Sequence, residues 1–160
     1  MKGRRWIVAA LFAAAPAADA AGRDPVVDFL APLYRHIDKI DPATIPFAPP
    51  LADLVKRDRA QAANGGAGVL DWNPLCGCQD DGGFRLRSMQ GSETKRLIKV
   101  VVTFQVALQP KSVTVDIVRI GDGFAIADIH GGSVPSLKAH LAREVASQHA
   151  AQPARATLAH

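Results

Sequence analysis

Polar and apolar positions alternate in two different rhythms along this chain. Val26, Phe29, Leu30, Leu33, Tyr34, Ile37 and Ile40 recur at three- and four-residue spacing and predict one apolar face of a helix. Asp24-Pro25 is a good start for it, because Asp caps free amides and Pro loses nothing at the first helical position. Pro32 lies inside the pattern and is expected to kink or divide the helix. A Pro-rich connector, 42–50, leads to a second helix over about 51–63, with Leu51, Leu54 and Val55 inward and Asn64-Gly65-Gly66 as its stop. The period then changes to two. Ile98, Val100, Val102, Phe104, Val106 and Leu108 predict a long strand with one apolar face, and Gln109-Pro110-Lys111 a turn. Val113, Val115 and Ile117 continue the alternation to a hairpin at Gly121-Asp122-Gly123, and 124–130 returns. Residues 84–89 are expected to pair as an earlier strand. A last helix opens near 133–136 and buries Leu137, Leu141 and Val145.

These elements predict an α+β domain: N-terminal helices, a curved antiparallel sheet of three to four strands, and a closing C-terminal helix. Helices laid across the concave side of a twisted sheet would leave a conical hollow suited to a small molecule.

The first residues change the picture of where the protein works. Lys2, Arg4 and Arg5 precede an unbroken apolar run from Trp6 to Ala15, Pro16 breaks any helix, and Ala18-Asp19-Ala20 presents small residues for cleavage between Ala20 and Ala21. About ten apolar residues fall short of the roughly twenty that span a bilayer, and no cysteine stands at the cleavage point to carry a lipid. The expectation is a cleavable signal peptide over 1–20, a periplasmic or secreted domain over 21–149, a flexible tail over 150–160, and no stable membrane anchor after cleavage. The full chain has 19 basic and 15 acidic residues; losing Lys2, Arg4, Arg5 and Asp19 leaves 16 and 14, a net +2. No basic stripe with interleaved aromatics remains, so nucleic acid is not an expected partner. With 48% hydrophobic and 21% charged residues the chain has the composition of a folded domain.

Both cysteines sit in Leu70-Asp71-Trp72-Asn73-Pro74-Leu75-Cys76-Gly77-Cys78-Gln79-Asp80-Asp81. Outside the cytoplasm Cys76 and Cys78 are expected to join, with Gly77 easing the bend. Such a short loop gains only about 1.6 kcal/mol of chain entropy, so a shape-setting bridge and an exchange-active one both stay open. A metal site recruiting Asp80, Asp81 or His130, and free thiols, are the remaining readings, and neither a metal nor a cofactor is assigned. Asp128 and His130 alternate around Ile129 and share a strand face. Facing a hollow, they could do acid–base work with Tyr34 nearby; otherwise they are a hydrogen-bonded pair at a strand end and Tyr34 is core. Lys56-Arg57-Asp58-Arg59 reads as a solvated helix face. No GxSxG elbow, phosphate-binding loop or HExxH is present.

Several of these residues occur in a familiar order: Phe29-Leu30-x-x-Leu33-Tyr34, Leu51-x-x-Leu54 with Arg57-Asp58, Asp71-x-x-Pro74-Leu75-Cys76-x-Cys78-Gln79-Asp80, Val118-Arg119 before the hairpin, Ile126-x-Asp128-Ile129 after it, and Pro135-Ser136-Leu137. Over about residues 25–145 the chain resembles the exported bacterial proteins of domain-of-unknown-function family 3828 (YbjP-like). That resemblance implies a variant of the nuclear-transport-factor-2 or ketosteroid-isomerase cone, with no established activity and no catalytic residue to carry over. The sequence differs from the lipoprotein members in lacking a cysteine at the cleavage point. Two functions remain in view: a non-catalytic module binding an unknown small ligand or an envelope protein, or a cone-fold enzyme using Asp128 and His130.

Overall fold

The computed structural model describes residues 24–64, 68–79, 82–94 and 96–157, with side chains to 148. The expected signal peptide, with Ala20 and Ala21, lies outside the described residues, as do Gly65, Gly66, Asp80 and Asp81. The chain runs α1 (Pro25–Arg35), a 3-10 turn (Pro42–Thr44), α2 (Pro49–Ala63), β1 (Arg85–Glu93), β2 (Ile98–Val106), β3 (Gln109–Ile120), β4 (Gly123–Gly131) and α3 (Leu137–Thr157). This is the expected α+β class. The four strands pair antiparallel in sequence order, β1-β2-β3-β4, in a curved sheet that does not close on itself.

Asp24 caps α1, its Oδ1 accepting the Val26 N–H at 2.9 Å. Pro32 leaves the Asp28 carbonyl without its helical donor, and α1 ends one turn later at Arg35 instead of running on to Ile40. Ile37 is still buried just past that end. Alternation along β2 buries Ile98, Val100, Val102, Phe104 and Val106 against Val113, Val115 and Ile117 of β3 and Ile126 and Ile129 of β4. Residues three apart on a regular strand face opposite sides. A bulge solves this: Asp116 pairs Asp128 but Ile117 pairs Ile126, so Ala127 is an extra residue that lets both isoleucines point inward. Asp128 and His130 consequently face the other side, with Asp116 and Lys99. Tyr34, Leu30, Leu51, Leu75 and Leu141 complete the core, each with 1% exposure or less. These side chains lie under the sheet, on the side where the sequence predicts a hollow.

The turn between β2 and β3 falls earlier than the sequence predicts. Val106 pairs Gln109, so Ala107 and Leu108 form a two-residue loop, and both adopt left-handed backbone, at φ 48° and 69°. Gln109-Pro110-Lys111 belongs to β3, where Pro110 lies beyond the last residue paired to β4 and its missing N–H costs no ladder bond on that side. Leu108 is 83% exposed, so its side chain contributes nothing to packing. Leu108→Gly is expected to stabilise the protein by about 1 kcal/mol, read as a raised urea midpoint with unchanged slope. An unchanged or lowered midpoint would show that the turn is not strained.

β4 is sealed on its outer side by the connector. The Ala48 N–H donates to the Ile126 carbonyl at 2.8 Å and the Ile126 N–H to the Pro46 carbonyl at 2.9 Å, a parallel bridge centred on Phe47. At the opposite edge β1 pairs only with β2 among the described residues. Helix α3 continues to Thr157, past Val145 where its apolar stripe ends and into the stretch expected as a tail; an Ala-rich run has high helix propensity. No helix among the described residues is long and apolar enough to cross a membrane.

Candidate functional site

Cys76 and Cys78 are joined, with their α-carbons 5.2 Å apart, so of the readings left open the disulfide is the one adopted. Asn73 organises the loop around them. Its N–H donates to the Cys78 carbonyl and its carbonyl accepts the Gly77 N–H, both at 2.9 Å. Its side-chain oxygen accepts the Leu75 N–H at 3.0 Å and its amide donates to the Ile37 carbonyl at 2.9 Å, tying the loop to the end of α1. The loop then docks on the segment after β4. Gly77 adopts φ +59° with its α-carbon side against Gly132 and Ser133, and the Ser133 hydroxyl donates to the Gly77 carbonyl at 2.9 Å. Cys76 is fully buried and Cys78 is 7% exposed, so an external thiol has little access to the bridge while the loop is docked. Among the described residues no three His, Cys, Asp or Glu side chains gather as a metal site requires.

Tyr34 is a core residue. Its hydroxyl donates to the Leu75 carbonyl at 3.0 Å, its ring lies beside Phe84, and burial pushes its pKa well above the usual phenol range. It lies on the face of Phe104, opposite to the face that carries Asp128 and His130. The three residues that might have formed an acid–base site are therefore separated by the sheet.

Asp128 and His130 do share a face, and both are engaged there. Asp128 caps α3 from outside the helix: Oδ1 accepts the Lys138 N–H at 2.9 Å and the Ile129 N–H at 2.8 Å, while Oδ2 accepts the Ser136 hydroxyl at 2.6 Å. His130 directs Nδ1 at the Pro135 carbonyl, 3.0 Å away, and Nε2 at the Asp116 carboxylate, 2.9 Å away. A carbonyl and a carboxylate only accept, so the protonated ring can satisfy both contacts, whereas a neutral ring, with one N–H, can donate in only one of them. Burial alone favours the neutral ring. The Asp116 and Pro135 hydrogen bonds and the charges of Asp128 and Asp116 outweigh it and raise the pKa above the ordinary imidazole range. Lys99 completes the group, its ammonium 3.2 Å from Asp116.

Because the folded pKa is raised, the stability His130 contributes is fully present below the ordinary imidazole value of 6.5 and is lost as pH rises through the raised one. The melting temperature is expected to fall as pH rises above the ordinary value of 6.5, and His130→Gln to flatten that slope. A slope unchanged in His130→Gln would remove the imidazolium from this account.

Sequence reasoning missed two features. Asp58 belongs to no solvated face: it is 2% exposed, and its carboxylate accepts the Val69 N–H at 2.7 Å and the Leu70 N–H at 3.1 Å. The signal available was its position one turn after the buried Val55. The second is a hollow of about 400 Å³ between the 3-10 turn and α2. Ala52, Val55, Lys56 and Arg59 recur at three- and four-residue spacing and form its helical wall; Ile45 and Phe47 form the opposite one. Arg59 is paired with Asp41, whose carboxylate also accepts the Ala43 N–H at 3.0 Å. That backbone bond, with the guanidinium beside it, holds the Asp41 carboxyl below its ordinary range and therefore charged. Another hollow, about 360 Å³, lies beside the β1–β2 turn, with Glu93, Arg96 and Arg119 among its lining residues.

No protein-family model, no curated protein and no solved structure matches the chain.

Proposed function

We propose that the mature chain is an exported, non-catalytic module that binds a small ligand, built on a variant of the nuclear-transport-factor-2-like cone. The hollow between the 3-10 turn and α2 carries this reading: its volume falls at the low end of the ~300–1,000 Å³ range of small-molecule sites, and apolar side chains with a few polar ones line it. The engagement of Asp128, His130 and Tyr34 in hydrogen bonds within the fold supports binding over acid–base chemistry. An envelope protein is the other partner compatible with an exported module.

Native mass spectrometry of full-length protein expressed with export tests the proposal. A retained small molecule, lost on denaturation, is the expected result, with the denatured mass showing cleavage after Ala20 and two hydrogens missing from the cysteines. A bare native protein whose Ala52→Trp variant, with the hollow filled, captures the same envelope partner as wild type would overturn small-ligand binding at this site.

A further inference from the structure

We infer that the hollow between the 3-10 turn and α2 takes a ligand with one negative charge and a short apolar body, such as a medium-chain carboxylate; this rests on the small-ligand reading above. The floor and walls are hydrocarbon: Ile45, Phe47, Ala52 and Val55. The polar side chains of the lining, Lys56 and Arg59, both come from α2, one turn apart. These two cations are not equivalent. Arg59 is neutralised by Asp41, and Asp41 is fixed in place by its bond to the Ala43 amide. Lys56 has no acidic partner among the described residues and is exposed. The lining therefore has one uncompensated positive charge at the edge of an apolar surface.

That arrangement selects by chemistry. A neutral apolar molecule gains the hydrocarbon contact but leaves Lys56 unused. An organic cation meets an ammonium of its own sign. A phosphate dianion calls for more donors than one free ammonium and one guanidinium already paired. A carboxylate with a hydrocarbon tail satisfies both parts, the head at Lys56 and the tail against Phe47 and Val55. The long methylene stem of lysine lets the ammonium follow the head group to the rim without leaving water.

The test is an NMR titration of the full chain with octanoate, octan-1-ol and octylammonium in turn, following the amides of Ile45, Phe47, Ala52 and Val55. Octanoate is expected to shift these amides and to bind about ten-fold more tightly than the alcohol, with octylammonium weakest. Lys56→Gln is expected to remove the preference for octanoate while octan-1-ol binding persists; Arg57→Gln, on the same helix but outside the hollow, is expected to leave both unchanged. Octan-1-ol binding as tightly as octanoate, or a preference that survives Lys56→Gln, overturns the charge assignment and leaves small-ligand binding standing. If none of the three compounds shifts these amides, the medium-chain assignment falls, and the small-ligand reading is decided by the native mass spectrum.

Discussion

Gly77→Ala is expected to destabilise the protein by about 3 kcal/mol, lowering the melting temperature by roughly 10 °C. Two separate costs contribute. At φ +59° an L-residue has its Cβ crowded by its own backbone, for about 1–2 kcal/mol. The new methyl also meets the Gly132 α-carbon and the Ser133 nitrogen, each 2.8 Å away. Both are backbone atoms, so no side-chain rotation relieves the overlap and the cysteine loop must lift off the segment after β4. Gly121→Ala isolates the first cost: it has φ +57° and no atom within 4 Å of the added carbon. It is expected to lose only about 1 kcal/mol. Equal losses in the two variants would show that the Gly77–Gly132 approach is not tight in solution.

Asp128→Ala is expected to cost a similar amount, about 3 kcal/mol, for a different reason. The carboxylate accepts from Lys138, Ile129 and the Ser136 hydroxyl, and it is only 6% exposed, so water cannot replace it at those donors. Asp128→Asn keeps one acceptor oxygen and is expected to lose about half as much. Amide hydrogen exchange locates the effect: protection should fall at Lys138 and Ala139 in the first turn of α3 and hold in the β2–β3 ladder. Uniform loss of protection, or a stability within 0.5 kcal/mol of wild type, a change of the size typical of surface substitutions, would mean that Asp128 is not what holds α3 in place.

Local patterns in the sequence carry much of this fold. The alternation from Ile98 to Val106 identifies β2 and its buried face without ambiguity, and Asp24-Pro25 marks the start of α1, because each is decided by neighbours within a few residues. The misplaced turn shows where such patterns fail. Leu108 continues the apolar alternation perfectly, and neither Ala107 nor Leu108 is a residue that left-handed backbone favours, so nothing local announces the loop. Asp128 and His130, two residues apart on a strand, share a face in sequence and structure alike, but their partners are not legible in the sequence. Asp116 pairs with Asp128 across β3 and β4, and Pro135 comes into reach only when α3 is docked. Asp58 was masked by its charged neighbours, since a run of four ionisable residues looks uniform until one side of the helix is buried. The hollow was half legible: Ala52, Val55, Lys56 and Arg59 form a stripe in the sequence, but the wall facing it comes from the Pro-rich connector, whose path has no periodicity to read.

The parallel bridge at Phe47 has a consequence beyond its two hydrogen bonds. Every strand edge offers a row of amides and carbonyls to any extended chain nearby, and a sheet open on both sides can stack copies without limit. Here the connector takes both outward hydrogen bonds of Ile126 in the middle of β4, while β1 pairs only with β2 among the described residues. Strand addition is therefore obstructed at the middle of β4 and unobstructed along β1 among the described residues. Two molecules joined through β1 would have used their unobstructed edges, and a third would have to displace Phe47 from β4 to pair along its length, which favours a closed pair over a filament.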